Sequence, residues 1–400
     1  MPEFGRSMLP AWWLDPAHTY LNHGTVGATP RAVLAHQQAL QREIEAHPAR
    51  FLLRELMSMQ PGKLAAPPRL RAAADAVAAF LGASGDDLVF VDNASAGINA
   101  VLRSLALAPG DELLIHDLAY GAVARTAAFV ARQSGARVVT FSWPFPVADA
   151  DPAPWVAALQ SHLTPRTRIA IVDHIVSETA LVLPVAEIAA ACRARGVPVL
   201  VDGAHAPGAI AVDLSTLGVD WYVANLHKWA FAPRGTGVLW AAPGRHDGVH
   251  PAVISWGLDQ GLTQEFDWTG TRDPSAWLSA PAGLAFMHET LGVDAMRAYN
   301  HALAWDAAQA LAARWWQPLT TPESMVGCMV SVPLARRLTE TLGPTAAGAA
   351  RLKDWLQAER RIEAQILAVR GALWLRLSAQ VYNDGSDIDR LALALEEFPA

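Results

Sequence analysis

Along the middle of the chain, short uninterrupted apolar runs alternate with stretches whose apolar residues recur at helical spacing. The first run, DLVFV at Asp87 to Val91, predicts a buried strand. Behind it Ile98, Val101, Leu102 and Leu105 fall at i, i+3, i+4 and i+7, the stripe of an amphipathic helix. Ser95 is placed to cap that helix, and Pro109 and Gly110 to stop it. Further strands are expected at Glu112 to Ile115, Arg137 to Phe141, Arg168 to Asp173, Val197 to Asp202, Asp220 to Leu226 and Gly237 to Ala241. Helices are expected at Ala122 to Arg132, at Trp155 to Leu163, and on the face of Val185, Ile188, Ala189 and Cys192, which Gly196 ends. Strands apolar on both faces, separated by amphipathic helices, predict a mostly parallel sheet covered on both sides.

After about residue 285 the pattern changes. Long Ala/Leu/Arg helical stretches surround two short strand candidates, MVSVPL and ALWLRLS, and predict a second, smaller α+β domain. The first 80 or so residues are helix-rich and carry Pro61, Pro67 and Pro68, which reads as an arm or cap. The division expected is an N-terminal arm over 1–20, a large domain over 21–285 with its helical part to about 80, and a small C-terminal domain over 286–400. No internal repeat or low-complexity linker interrupts this order.

Composition narrows the class. At 400 residues and 52% hydrophobic, the chain can bury a large core, which excludes a disordered or collagen-like protein. A net charge of −7 argues against non-specific nucleic-acid binding. The two cysteines, Cys192 and Cys328, make no disulfide framework, and without C-x-x-C spacing no metal site is expected. No uncharged apolar run is long enough to predict a membrane helix. The opening MPEFGRSM has the character of neither a signal nor a transit peptide, and reads as an added leader before a start at Met8. A cytoplasmic, enzyme-sized globular protein is expected.

In an open α/β sheet, ligands bind beyond the carboxyl ends of the strands, so polar residues just after apolar runs are the candidates for chemistry. VDNASAGIN, Val91 to Asn99, puts small residues at a strand-to-helix turn, where free N–H groups and the helix dipole suit a phosphate. It is neither a Walker A loop nor GxGxxG, and the absence of GxGxxG argues against a nucleotide-dependent dehydrogenase. Asp202 ends VLVD, and a carboxylate delivered there needs a cationic partner. Lys228 follows an apolar run and is flanked by Trp229 and Phe231, surroundings that turn an amine into a nucleophile. Lysine occurs elsewhere only at Lys63 and Lys353, so this one is not incidental. Tyr120, at the turn after ELLIH, is placed to stack on a flat ring. Arg376, inside WLRLS, needs a carboxylate from protein or substrate. Pyridoxal phosphate is the cofactor that requires all five: an amine for its aldehyde, an acid for its ring nitrogen, a stacking aromatic, an anion cradle, and a substrate carboxylate clamp.

YLNHGTVGATP, DNASAGINAVL, DLAYGAV, DHIVSETALVLPV, DGAHAPG, HKWAFAPRGTG and WLRLSAQVYND stand in the order found in one family. The sequence resembles the class V aminotransferases among the fold-type I pyridoxal-phosphate enzymes, and within them the isopenicillin N epimerase-like branch. The resemblance implies a large domain with a mostly parallel, seven-stranded-type sheet and a smaller C-terminal α+β domain. It implies that Lys228 forms the Schiff base and moves the α-proton, that Asp202 pairs with the pyridine nitrogen, and that Tyr120 stacks on the ring. It places Ala94, Ser95, Asn225 and His227 at the phosphate, and Ser177 and His205 near the ring hydroxyl or phosphate. Thr271 is expected to reach the phosphate of a second subunit, since such enzymes are homodimers with shared sites. Arg376 is expected to clamp an amino-acid carboxylate, with Asn22, His23, Arg50 and Arg54 at the substrate entrance. For Arg50 and Arg54 an i, i+4 pair facing solvent is the competing reading.

Cysteine desulfurases of this family carry a nucleophilic cysteine shortly before the arginine, and AERRIEAQILAVRGALW has none. The reaction expected is α-proton removal followed by epimerisation, with β-elimination of a C–S bond or transamination as alternatives. A non-catalytic member of the fold is a further alternative. Epimerisation needs a second acid, for which Tyr120 or a tyrosine or histidine of the N-terminal arm is the candidate.

Overall fold

The computed structural model describes residues 3–57, 67–147, 149–319 and 321–399; Pro61 and Lys63 lie outside them. Seven strands form the central sheet: β1 (Leu88–Val91), β2 (Glu112–His116), β3 (Arg137–Phe141), β4 (Thr167–Asp173), β5 (Val199–Asp202), β6 (Trp221–Asn225) and β7 (Gly237–Ala241). Their spatial order is β1-β7-β6-β5-β4-β2-β3. All neighbours pair in parallel except β7, which is antiparallel to both β6 and β1. Every residue of β1, β2, β5, β6 and β7 is buried, which explains why their interior positions are apolar.

Helix α1 (Ala94–Ser104) turns Ile98, Val101 and Leu102 onto this sheet. Its approach is close because position 97 is glycine: a Cβ there would lie 2.7 Å from Val223. The expected cap is corrected. Asn93, not Ser95, caps α1, its side chain accepting the Ala96 N–H at 3.0 Å. The helix also ends at Ser104, before Pro109 and Gly110. Helix α2 (Gly121–Ser134) follows β2 and closes on Gly135 in the left-handed conformation.

The C-terminal part packs a second core, in which α3 (Val293–Arg314) lies on an antiparallel sheet of β8 (Met329–Pro333), β9 (Gln365–Val369) and β10 (Ala372–Ser378), ordered β9-β10-β8. MVSVPL and ALWLRLS are therefore neighbours, with Arg376 opposite Ser331. The start of the chain joins this part. Thr19–Tyr20 pairs in parallel with Ile362–Glu363, and Asn22 bridges to Ser378. No helix is long and apolar enough to cross a membrane, among the described residues.

Candidate active site

Four strands end in the polar residues His116, Asp173, Asp202 and Asn225, all at the same edge of the sheet. Beside them opens a cavity of about 320 Å³. Lys228 reaches it from the turn after β6, where the neighbouring Trp229 and Phe231 are buried. Its Nζ lies 3.1 Å from Nε2 of His205. Burial pushes the lysine down from its ordinary value and Arg376 adds to this, while Asp202 and Asp173 pull it back. His205 is held neutral by burial, with the charge of Lys228 beside it acting the same way. A buried, readily deprotonated amine is the arrangement a nucleophile needs.

Asp202 faces the same cavity, and its carboxylate accepts the Ala204 N–H at 3.0 Å. Burial, and then the neighbouring Asp173, push it up. At the start of α1, the Ala94 N–H donates to Oδ1 of Asn225 at 2.8 Å, so that amide is already occupied. Ser95 also lines the cavity, and neither its N–H nor its hydroxyl donates within the described residues. Gly237 lets this turn sit close, since a Cβ there would lie 2.8 Å from Cα of Asn93. His227 donates from Nδ1 to the Thr236 carbonyl at 3.0 Å, which leaves Nε2 unbound. Burial lowers His227 to about 4, so the ring is neutral at pH 7.

Tyr120 lies at the cavity mouth, half exposed, just before α2. Ser177 and Thr25 form the opposite wall, and Arg376 stands directly behind them. Its Nη1 donates to the Ser177 carbonyl at 2.6 Å and its Nη2 to the Thr25 hydroxyl at 2.7 Å, while its Nε has no partner among the described residues. Burial lowers this arginine to about 10. Ile175, also in the wall, has φ of 94°, a strained conformation for a β-branched residue.

The cavity thus gathers Ala94, Ser95, Tyr120, Ser177, Asp202, His205, Asn225, His227 and Lys228, with Arg376 one layer back. Four of the residues expected at the substrate entrance are elsewhere. His23 is fully buried behind Lys228, where Nε2 donates to the Lys228 carbonyl at 2.8 Å and Nδ1 accepts from the Tyr382 hydroxyl at 2.8 Å. Asn22 is buried, donates to Glu363 at 3.1 Å, and accepts from the Thr25 hydroxyl at 2.5 Å; it braces the wall without lining it. Arg50 is a surface residue paired with Glu55 at 2.6 Å, and Arg54 is exposed in the next turn. Thr271 is exposed and outside the cavity of its own chain.

Sequence reasoning missed Asp173, His116, Thr25 and Asn93. The first two had a signal: RIAIVD and ELLIH end in a polar residue just as VLVD does. Thr25 stands in the YLNHGTVG segment, but nothing local shows that it meets Arg376.

The donors present fit a phosphorylated pyridine aldehyde. An amine and a carboxylate share one cavity with a helix N-terminal amide, and among the described residues neither that amide nor the buried His205 Nδ1 has a partner. The fold and this site belong together in one class: the chain is a member of the aminotransferase class-V family, whose model matches residues 19–331 and whose enzymes use pyridoxal phosphate. Within it, the chain is 35% identical to isopenicillin N epimerase of Streptomyces clavuligerus, over 96% of this chain and 95% of that protein. It is 31% identical to a probable chloroplastic L-cysteine desulfhydrase of Arabidopsis thaliana, over 95% of this chain and 83% of that protein. Among solved structures, the cystine C-S lyase C-DES in complex with cysteine persulfide shares the fold with a TM-score of 0.76, at 23% identity over 96% of this chain and 98% of that one.

Proposed function

We propose that this protein is a pyridoxal-phosphate enzyme that removes the α-proton of an amino acid and acts as an epimerase. The observation that carries the reading is Lys228: an amine whose protonation burial disfavours, in one cavity with Asp202. The cofactor, when bound, supplies an aldehyde for the substrate amine and a sink for the electrons released at Cα. Asp202 holds the ring nitrogen, Ser95 and His227 take the phosphate, and Tyr120 covers the ring. His205 receives a hydrogen bond from Lys228 and aims it. Lys228 takes the α-proton on its own side. Of the second acids named from sequence, Tyr120 alone lines the cavity among the described residues; His23 is committed behind Lys228, His18 pairs with Asp15 at 2.9 Å, and burial raises Tyr20 to about 12. Tyr120 therefore returns the proton on the opposite face.

A C–S lyase is the second reading. It rests on the desulfhydrase relatives and on the chemistry needing no more than Lys228 and a leaving group. A persulfide mechanism does not suit this chain. Both thiols are buried, and burial pushes each up to about 12. The protein is read as a homodimer. Val253, Ile254 and Trp256 are large apolar residues left exposed within four positions of one another, and Val253 lines a cavity with Thr269 and Arg272, a surface that a second copy would cover.

The test is proton NMR of an amino-acid panel incubated with holoenzyme in heavy water, followed by chiral analysis. Deuterium at Cα with loss of optical purity and no other product supports the epimerase. A keto acid with ammonia and a released thiol overturns it in favour of the lyase.

A further inference from the structure

Strands β2, β4 and β5 lie side by side, and their last residues are His116, Asp173 and Asp202. Asp173 is paired in register with Asp202, and both carboxylates face the cavity. His116 Nε2 lies 3.1 Å from Asp173 Oδ1, with both side chains almost wholly buried. Apart from this approach, neither ring nitrogen of His116 nor Oδ1 of Asp173 has a hydrogen-bond partner among the described residues. The rings of Phe141 and Trp143 shield the histidine on its far side.

Two adjacent carboxylates so little exposed cannot both be ionised cheaply unless positive charge is supplied. In the functional reading above, Lys228 is committed to the cofactor and Asp202 to its ring nitrogen, so the positive charge of Lys228 does not balance Asp173. Glu178 is the next carboxylate facing Asp173, and it faces Arg376 as well. That leaves His116. We propose that His116 is a positioning residue whose charge balances Asp173, so that Asp202 keeps its own charge for the ring nitrogen of the cofactor. The inference rests on the assignment of Asp202 to that nitrogen. Its electrostatic setting agrees: burial and Asp173 push Asp202 up, and Lys228 and His116 pull it down.

The experiment is titration of apoprotein with pyridoxal phosphate, following fluorescence quenching for the dissociation constant, with melting temperature as a check on folding. His116→Gln weakens binding by about tenfold or more, because a buried carboxylate is left unbalanced. Asp173→Asn binds within about threefold of the original, and the double variant H116Q/D173N returns to the Asp173→Asn value. A histidine that merely fills space gives no such rescue. Unchanged binding by His116→Gln overturns the proposal. So does a double variant as weak as His116→Gln, or an Asp173→Asn variant equally weak, which would put Asp173 itself on the cofactor. If His116→Gln fails to fold, a folded double variant supports the proposal. An unfolded double variant beside a folded Asp173→Asn overturns it. An original protein that does not bind pyridoxal phosphate overturns the functional reading as well, whereas good binding with an indifferent His116→Gln overturns this inference alone.

Discussion

The imidazole of His23 lies 2.8 Å from the backbone carbonyl of Lys228, on the side of the lysine away from the cavity. The same ring accepts from Tyr382 at 2.8 Å, and Tyr382 packs edge-on against Trp12 with ring centroids 4.9 Å apart. The backbone of Lys228 is therefore held by His23 from one end of the chain, which Tyr382 from the other end holds in turn.

Replacing His23 by leucine leaves a buried hydroxyl and a buried carbonyl without partners. A loss of about 2 kcal/mol in unfolding free energy is expected. His23→Gln, which can both donate and accept, recovers part of it. Urea unfolding of the two variants checks this, and equal losses would show that packing, not hydrogen bonding, sets the effect.

Lys228→Ala abolishes turnover. After borohydride treatment of holoenzyme, mass spectrometry finds a pyridoxyl-carrying peptide at Lys228 in the original protein and none in the variant. Asp202→Asn lowers turnover by about a hundredfold or more while circular dichroism is unchanged. A mild effect would make Asp202 a structural residue.

Arg376→Lys keeps the charge and loses the fork that spans Ser177 and Thr25. Steady-state kinetics should show KM for the amino acid raised by about tenfold or more, with kcat less affected. A fall in kcat at unchanged KM would place the arginine's role outside carboxylate binding.

Burial lowers His23, His174 and His227 each to about 4, against 6.5 for an exposed histidine. Between these values the unfolded chain binds protons that the folded chain refuses. Stability therefore falls as pH drops from about 6.5 to about 4, by up to ~3 kcal/mol for each ring, and the loss is complete below that window. Chemical unfolding at stepwise lower pH measures the slope. His174→Gln, which keeps a partner for the Tyr222 hydroxyl now 2.9 Å from the ring, should flatten it.

Cys192→Ala and Cys328→Ala together leave turnover intact, since neither thiol reaches the cavity. The melting temperature falls modestly, because each change opens a small void and Cys328 also loses its contact with the Ala209 carbonyl. Loss of activity in the folded double variant would reinstate a cysteine mechanism.

The parallel sheet and the positions of Asp202 and Lys228 were legible because their signals are local: an apolar run, then one polar residue. The same rule applied to RIAIVD and ELLIH points to Asp173 and His116, yet their importance comes from strand order, which a linear pattern does not contain. His23 illustrates the opposite failure. Its neighbourhood in sequence looks like a loop at an entrance, but its partners are Lys228 and Tyr382, and only the folded chain brings them together. Arg50 and Arg54 kept the ordinary fate of helical arginines, at the surface. The cap of α1 passed to Asn93 because Ser95 lies one turn-position too far along, inside the helix.

The pairing of Thr19–Tyr20 with Ile362–Glu363, and of His23 with Tyr382, gives assembly of the site an order in time. During synthesis on the ribosome, the central sheet emerges complete long before its lysine has lasting support. The opening segment must wait, unpaired, for strands made near the end. Bracing of Lys228 is thus among the last events of biogenesis, and a nascent chain stalled before Tyr382 carries Lys228 and Asp202 without the brace that holds the lysine.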